Sequence, residues 1–284
     1  MNYIKLMRIK HYIKNLLIFL PLIFSGLLLK QDKLIITIFG FICFSLMASS
    51  VYVINDIRDR EKDKKHKLKC KRPIAAGLIS PKKAMLFMIF LLLIVVVISI
   101  VMKFNYVSIL LMILYFVINI CYSMGAKNIP LVDIILLVSG FVIRVLFGAL
   151  LINVSVSNWL YLTIISASFY LGFGKRRNEM LKSSKTRKVL KYYNKDFLDK
   201  NMNVFLTITI VFYSLWTTDS AIVTKSNNLL IWTIPFLIII FLKYSMDIEG
   251  DSDGDPVEVI VKDKILIGLG IIYGILLLAI LYII

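Results

Sequence analysis

Histidine and cysteine, which carry much proton-transfer and metal chemistry, are nearly missing: the 284 residues include two His and three Cys. Cys43, Cys70 and Cys121 are scattered with no CxxC spacing, which excludes a metal finger and fits a reduced compartment. His11 and His66 read as interfacial residues and are given no chemistry. Acidic charge is scarce too, 17 Asp and Glu against 34 Lys and Arg, and the net charge of +17 asks for anionic partners. No polar stretch is long enough to bury a core. The longest, at about 55–83 and 174–203, are loops, so no soluble domain is inserted. The basic first 15 residues lead into an apolar run without an A-x-A-like cleavage site, which reads as a retained span rather than a signal peptide.

What fills the chain instead is apolar. Hydrophobic residues make up 59% of it, beyond the share of an ordinary soluble domain. Nine apolar runs recur at about 16–29, 34–54, 84–101, 106–123, 131–152, 158–173, 204–222, 229–246 and 265–284, near the length of about 20 residues that crosses the hydrocarbon core. The expected fold is all-α: one polytopic domain over 1–284 with nine transmembrane helices. Charge sets its orientation. With the amino terminus inside, the segments 1–15, 55–83, 123–130, 174–203 and 243–264 face the cytoplasm and hold 29 of the 34 Lys and Arg. The other face has Lys30, Lys33, Lys103 and Lys225, and Arg144 lies within a span. That asymmetry puts the amino terminus inside and the carboxyl terminus outside. Basic loops against a membrane suit anionic headgroups or an anionic substrate, not nucleic acid.

The segment "NDIRDREKD", 55–63, opens the first long loop. On a continuing helix with Asn55 at zero, Asp59, Asp63 and Asp56 fall at ~40°, ~80° and ~100°. Lys62, Arg58 and Lys65 fall at ~340°, ~300° and ~280°, away from the stripe. Carboxylates sharing one face repel unless a cation sits among them. Mg²⁺ is usually held by one or two carboxylates with substrate phosphates completing its shell, so a diphosphate is the expected bridge. The alternative is a charge-mixed, solvated helix end. Asn55, where the span meets the interface, starts an N-D-x-x-D-x-x-x-D register that favours the functional reading.

"NDIRDREKD" followed by "KRPIAAG" resembles the first aspartate-rich motif and the R-P-I-A-[AS]-G segment of the UbiA superfamily of intramembrane prenyltransferases, and the resemblance covers nearly the whole chain. It implies a nine-helix bundle in which Asn55, Asp59 and Asp63 hold Mg²⁺ and diphosphate, with Asp56 adjacent and Arg72 near the diphosphate. Arg58 and Lys69 join the expected substrate contacts. Aromatic-acceptor members carry a second pair, D-x-x-x-D. Here Asp133 stands at the matching place, but Leu137 stands four residues on. "YSMGAKNIPLVDIILLVSGFVIRVLFGA" instead resembles the Y-S-x-x-x-K and D-x-x-x-x-x-x-G-F-x-x-R pattern of the decaprenyl-phosphate phosphoribosyltransferase branch. "GFGKRRNEM", 172–180, is similar to that branch's G-K-R-R-x-E segment, and "GDPVEVIVKDK", 254–264, to its G-D-P-x-E-x-x-x-[RK]-D-[RK] segment. The resemblance implies catalytic roles for Asp56, Asp59, Asp63, Asp133 and Arg144. It implies substrate contacts for Tyr122, Lys127, Lys175, Arg176, Arg177 and Asp255.

Periodicity bears on some of these residues. Asp133 and Arg144, eleven apart, share a helix face to within ~20° and lie ~16 Å apart along the axis. A guanidinium so deep is costly and should meet an anion or a water-filled cavity, the competing reading being an internal pair with a carboxylate of another span. Gly140 and Gly148 near that face read as packing residues. Lys175, Arg176 and Arg177 read equally as a positive-inside cluster or as phosphate contacts. Phosphoribosyl diphosphate, with its 5-phosphate, needs more cations than a prenyl diphosphate does. "DSDGDP", 251–256, has Lys262 where an EF-hand needs Glu and is rejected as a Ca²⁺ loop.

The resemblance implies a membrane-embedded pentosyltransferase, using Mg²⁺ to move phosphoribose from phosphoribosyl diphosphate to a polyprenyl phosphate for cell-envelope glycan synthesis, at the cytoplasmic side of the cytoplasmic membrane. The second reading is prenyl transfer from a prenyl diphosphate to an aromatic or other acceptor, and the third is lipid or ion transport.

Overall fold

Short polar side chains start several of the helices, and apolar runs extend most of these. The computed structural model describes residues 2–65, 69–182, 188–220, 222–223, 228–249 and 254–283. His66 and the acids at 251 and 253, considered above, lie outside the described residues. In chain order come α1 (Asn2–Met7), a 3-10 helix (Ile9–Phe19), α2 (Leu20–Phe24), α3 (Gln31–Arg58) and α4 (Arg60–Lys64). Then follow α5 (Pro81–Val101), α6 (Tyr106–Met124), α7 (Val132–Ile152), α8 (Asn158–Lys182) and α9 (Lys195–Thr217). A 3-10 turn (Leu229–Thr233) leads into α10 (Ile234–Glu249), and α11 (Pro256–Lys262) and α12 (Lys264–Tyr282) close the chain. The described regular elements are all helical, as expected.

The caps follow from residue chemistry. Asn105 accepts from Ser108 N at 2.7 Å at the start of α6, and Asn194 from Phe197 N at 2.7 Å at the start of α9. Ser80 caps α5 with Pro81 in the first turn, where its missing N–H costs nothing. Asp255 and Asp263 cap α11 and α12 through Val257 N and Leu266 N.

Among the described residues six helical segments are long and apolar enough to cross a membrane: α3, α5, α6, α7, Leu229–Glu249 and α12. Their exteriors suit lipid rather than water. Leu86, Phe90, Leu93, Val97 and Ile100 of α5 are all exposed, as are Ile265, Ile271 and Ile275 of α12. Three of the nine apolar runs differ from the rest. The run at 16–29 folds as the end of the 3-10 helix plus α2 and a turn rather than one α-helix. At 158–173 and 204–222 the helices are long, but α8 ends in a charged tail and α9 begins with one, so apolar residues cover only part of each.

The chain divides into two compact units, and the division falls inside α7. The first comprises Met1–Leu22, Leu27–Gly125 and Ile143–Val154. Its core gathers Ile18, Phe44, Met47, Met112, Tyr115, Phe147 and Leu151. Gly148 lets the 3-10 helix lie directly on α7: a Cβ there would stand 2.1 Å from the Ile18 carbonyl oxygen. Packing, as expected from the sequence, is its role. The second unit comprises Ile23–Gly26, Ala126–Val142 and Ser155–Ile284, with α8 and α9 packed along one another. Its core includes Ile134, Val138, Tyr170, Phe173, Leu198, Met202 and Ile248.

Candidate active site

At the end of α3 the hydrogen-bond ladder does not stop where the helix does. Asp59, at φ −87° and ψ 7°, joins α3 to α4. Its N–H still donates to Asn55 O at 2.9 Å, and Asp63 N donates to Asp59 O at 2.8 Å. Asn55, Asp59 and Asp63 therefore occupy successive rungs of one ladder, which is what places their side chains on one side.

Asp63, the last of that row, and Asp56 beside it converge on guanidinium groups. Asp56 and Asp63 are both buried, and Arg72 Nη1 donates to Asp56 Oδ1 at 3.1 Å and to Asp63 Oδ2 at 2.6 Å. Arg8 also donates to Asp56, and its guanidinium lies 4.9 Å from the centre of the Tyr52 ring. Burial pulls the Arg8 pKa below its usual value, and the Asp56 charge opposes that shift. The turn carrying Arg72 is itself pinned. Ile74 is fully buried among Leu6, Val53, Ile79 and Ala84, Leu78 N and Ile79 N both donate to Pro73 O, and Gly77 adopts φ +75°. The R-P-I-A-A-G stretch thus presents Arg72 to the acids while Pro, Ile and Gly fix the backbone.

α6 supplies the remaining neighbours in this unit. Ser123 donates to Asn55 Oδ1, orienting the amide, and Arg58 Nη2 donates to the Met124 carbonyl at 3.3 Å. Tyr122 is half-buried and Lys69 is exposed; Lys127, also half-buried, belongs to the second unit. Among the described residues no group of three or more His, Cys, Asp and Glu side chains is arranged to hold a metal alone. The donor set of Asn55, Asp59 and Asp63 instead matches what Mg²⁺ takes when phosphate oxygens complete its shell.

Deeper in the same unit, Arg144 donates through Nε to Asn15 Oδ1 at 2.7 Å and through Nη2 to the Tyr115 hydroxyl at 3.1 Å. Its guanidinium lies 5.1 Å from the Phe44 ring centre and 5.0 Å from that of Tyr115. Asn15 in turn donates to Ser45 Oγ at 2.8 Å. Neutral oxygens and ring faces around a buried cation were not among the sequence expectations.

The second unit has its own charged centre. Asp133, fully buried at the start of α7, accepts from Arg176 Nε and from the Tyr193 hydroxyl, the latter at 2.7 Å. Leu131 N donates to the same hydroxyl at 2.7 Å. Burial first, and then the Asp133 carboxylate, raise the Tyr193 pKa, so its proton stays on the phenol. Arg176, also fully buried, reaches Glu179 Oε2 at 2.6 Å. Its neighbours on α8 point elsewhere: Lys175 Nζ donates to Asp255 Oδ2 at 3.1 Å, and Arg177 Nε donates to Asp199. Three consecutive helical residues are spread by ~100° steps, so each basic side chain meets a different acid. Gly254, at φ +71°, brings the Asp255 turn against Lys175, where an added Cβ would stand 3.1 Å from Lys175 Cα.

The UbiA prenyltransferase family model matches residues 19–178, more than half of the chain. The chain belongs to the UbiA prenyltransferase family. Decaprenyl-phosphate phosphoribosyltransferase of Mycolicibacterium smegmatis is 32% identical to it, over 93% of this chain and 87% of that protein. The enzyme of the same name from Corynebacterium glutamicum is 29% identical, over 93% of this chain and 81% of that protein. A UbiA homologue from Archaeoglobus fulgidus, solved with DMAPP and Mg²⁺, superposes with a TM-score of 0.71 at 19% identity, covering 99% of this chain and all of that one. Similarity at that identity establishes the fold. A UbiA-type, membrane-embedded transferase is thus the class, and the transport reading falls away.

Several partners in these networks carried no sequence signal. Arg8 reads as one more basic residue of the amino-terminal segment, and Asn15, Tyr115, Ser123 and Tyr193 as unremarkable polar positions. Asp199 was hidden, and Glu179 was visible only as part of the G-K-R-R-x-E match, because sequence shows that Lys175, Arg176 and Arg177 are adjacent but not which acids they face.

Proposed function

We propose that this UbiA-family member transfers the 5-phosphoribosyl group of phosphoribosyl diphosphate to a polyprenyl phosphate, with Mg²⁺, giving a polyprenyl-phospho-phosphoribose for cell-envelope glycan synthesis. The observation that carries the reading is the ladder of Asn55, Asp59 and Asp63, whose last carboxylate accepts from Arg72. Two relatives over 93% of the chain are named for phosphoribosyl transfer, which supports the choice of substrates. Leu137, where a second acidic pair would end, supports it as well.

Asn55, Asp59 and Asp63 would hold Mg²⁺. When bound, the ion supplies positive charge to the diphosphate as it leaves. Arg72, its Nη1 fixed by Asp56 and Asp63, aims its other N–H donors at the same diphosphate. Asp56 acts as a positioning residue for Arg72, with Arg8 balancing its charge. The acceptor is already an anion: its phosphate oxygen bonds to C1 of the ribose as the C1–diphosphate bond breaks. No proton needs to be removed, which suits a chain with two histidines. Lys175, partly exposed and paired with Asp255, is the anion contact proposed in the second unit. Asp133 and Arg176 hold each other and support α7 and α8 as positioning residues. Arg144 is assigned to orienting the 3-10 helix through Asn15. Arg58, Lys69, Tyr122, Lys127 and Arg177 remain proposed contacts at the loop ends.

The same reading takes the chain through the cytoplasmic membrane nine times, amino terminus inside and carboxyl terminus outside, with the Asn55–Asp63 stripe facing the cytoplasm. The concentration of Lys and Arg in 55–83 and 174–203 supports it. Purified protein incubated with Mg²⁺, a polyprenyl phosphate and labelled phosphoribosyl diphosphate tests the proposal. Labelled lipid is expected, and labelled prenyl diphosphate with an aromatic acceptor should give none. The reverse outcome would establish prenyl transfer instead.

A further inference from the structure

We infer that the first unit carries a second binding site, for the headgroup of an anionic phospholipid, at the end of α3 remote from Asn55. A cavity of about 390 Å³ opens there, lined by Lys33, Lys103, Asn105, Asn153, Met102 and Leu151. Its volume falls in the usual range for small-molecule sites, about 300–1,000 Å³. Lys33 and Asn55 are 22 residues apart on one helix, ~33 Å at 1.5 Å per residue. The cavity is therefore separate from the acidic stripe, and the inference does not depend on the proposed reaction.

The lining is that of an amphiphile site. Two lysines and two asparagines share the lining with Met102 and Leu151. One carboxylate, Asp32, is also present. It is 72% exposed and 3.9 Å from Lys33 Nζ, a loose, solvent-screened pair that leaves the lining net positive. Lys103 and Asn153 hold φ of 51° and 56°, in the left-handed region. Glycine is the favoured residue for such a conformation just past a helix end, yet lysine stands past α5, in the lining of the cavity. Asn105 ties this loop to α7 by donating to Leu150 O at 2.7 Å, so the rim is held rather than loose.

An apolar path leads away from the cavity. Ile35, itself part of the lining, begins a stripe on α3 that continues through Ile38 and Ile42 at helical spacing, with exposures of 47%, 40% and 37%. A phosphate among the lysines would lay its acyl chain along these isoleucines, on a helix long and apolar enough to span the bilayer. A soluble anion would use the lysines and leave the stripe unused. The joined cation pocket and apolar stripe therefore favour a lipid source for the phosphate.

Native mass spectrometry of the full chain in neutral detergent tests this, with dimyristoyl phosphatidylglycerol, the matching phosphatidylcholine and inorganic phosphate as probes. Phosphatidylglycerol is expected to bind saturably and more tightly than phosphatidylcholine. Lys33→Gln with Lys103→Gln should weaken it about 25-fold, taking about fivefold for each lysine lost near an anionic lipid. Ile38→Ser should weaken the lipid without touching the charges. Lys82→Gln with Lys83→Gln, removing equal charge at the other end of α5, should leave binding unchanged. Thermal unfolding in the same detergent verifies that each variant is folded. Equal loss in both lysine pairs would reduce the effect to net charge, and equal retention of phosphatidylcholine would reduce it to the tail. Displacement by inorganic phosphate at lipid-like concentration would assign the cavity to a soluble anion. Each of these three results overturns the inference.

Discussion

Replacing Arg72 by Lys keeps a positive charge and removes a fork. In the native chain one nitrogen, Nη1, reaches Asp56 at 3.1 Å and Asp63 at 2.6 Å, so the planar group is oriented before any anion arrives. A lysine ammonium on a flexible stem satisfies the acids or the diphosphate, but does not aim separate donors at both. One charge-assisted hydrogen bond contributes about 1.5–3 kcal/mol, and about 1.4 kcal/mol is a factor of ten. Arg72→Lys is therefore expected to lower kcat/KM for the diphosphate donor about 10- to 150-fold, with the KM for the lipid acceptor unchanged. Arg72→Ala goes further, because it also takes a cation from between two buried carboxylates. Losing one partner of a buried pair costs about 3–5 kcal/mol, so that variant should lose thermal stability as well. Steady-state transfer of labelled phosphoribose, varying donor and acceptor in turn, measures both effects. Native donor kinetics in Arg72→Lys would refute the claim that geometry rather than charge is what Arg72 supplies.

Asp59→Ala and Asp63→Ala should each abolish Mg²⁺-dependent transfer while circular dichroism still reports the native helix content; near-native activity in both would remove the metal assignment. Arg176→Met leaves Asp133 buried against Tyr193 without its guanidinium, so a loss of about 3–5 kcal/mol is expected in thermal or denaturant unfolding. Adding Asp133→Leu should recover part of that loss, since an apolar pair often replaces a buried ion pair at little cost. Gly148→Ala drives a methyl into the Ile18 backbone, 2.1 Å from its oxygen, and should cost about 1–3 kcal/mol. Gly268→Ala, on α12 with nothing within 4 Å, should be neutral or gain up to about 1 kcal/mol from helix propensity. Unfolding of the two glycine variants side by side separates packing from propensity.

Much of this was legible in the chain itself because it depends on local repetition. Apolar runs of about 20 residues require helices in a bilayer, since no other open structure satisfies its backbone there. The N-D-x-x-D-x-x-x-D spacing places its residues on one face of any helix that continues, and the unbroken bonds through Asp59 meet that condition. The run at 16–29 is where local reading failed. Its composition suits an α-helical span, but the chain there packs backbone to backbone on Gly148, more than a hundred residues away, and winds partly as a 3-10 helix.

Sequence alone therefore determined the all-helical membrane class, the family motifs and the acidic face, all of which follow from spacing along one chain segment. Tertiary structure decided who pairs with whom. Asp133 and Arg144 share a helix face by periodicity, yet Asp133 is held by Arg176 and Tyr193, and Arg144 by Asn15 and Tyr115. Lys175, Arg176 and Arg177 look like one cluster in the sequence and meet three separate sets of acids in the fold. The physical reason is that a buried charge must find a partner, and that partner comes from whichever element the packing brings alongside.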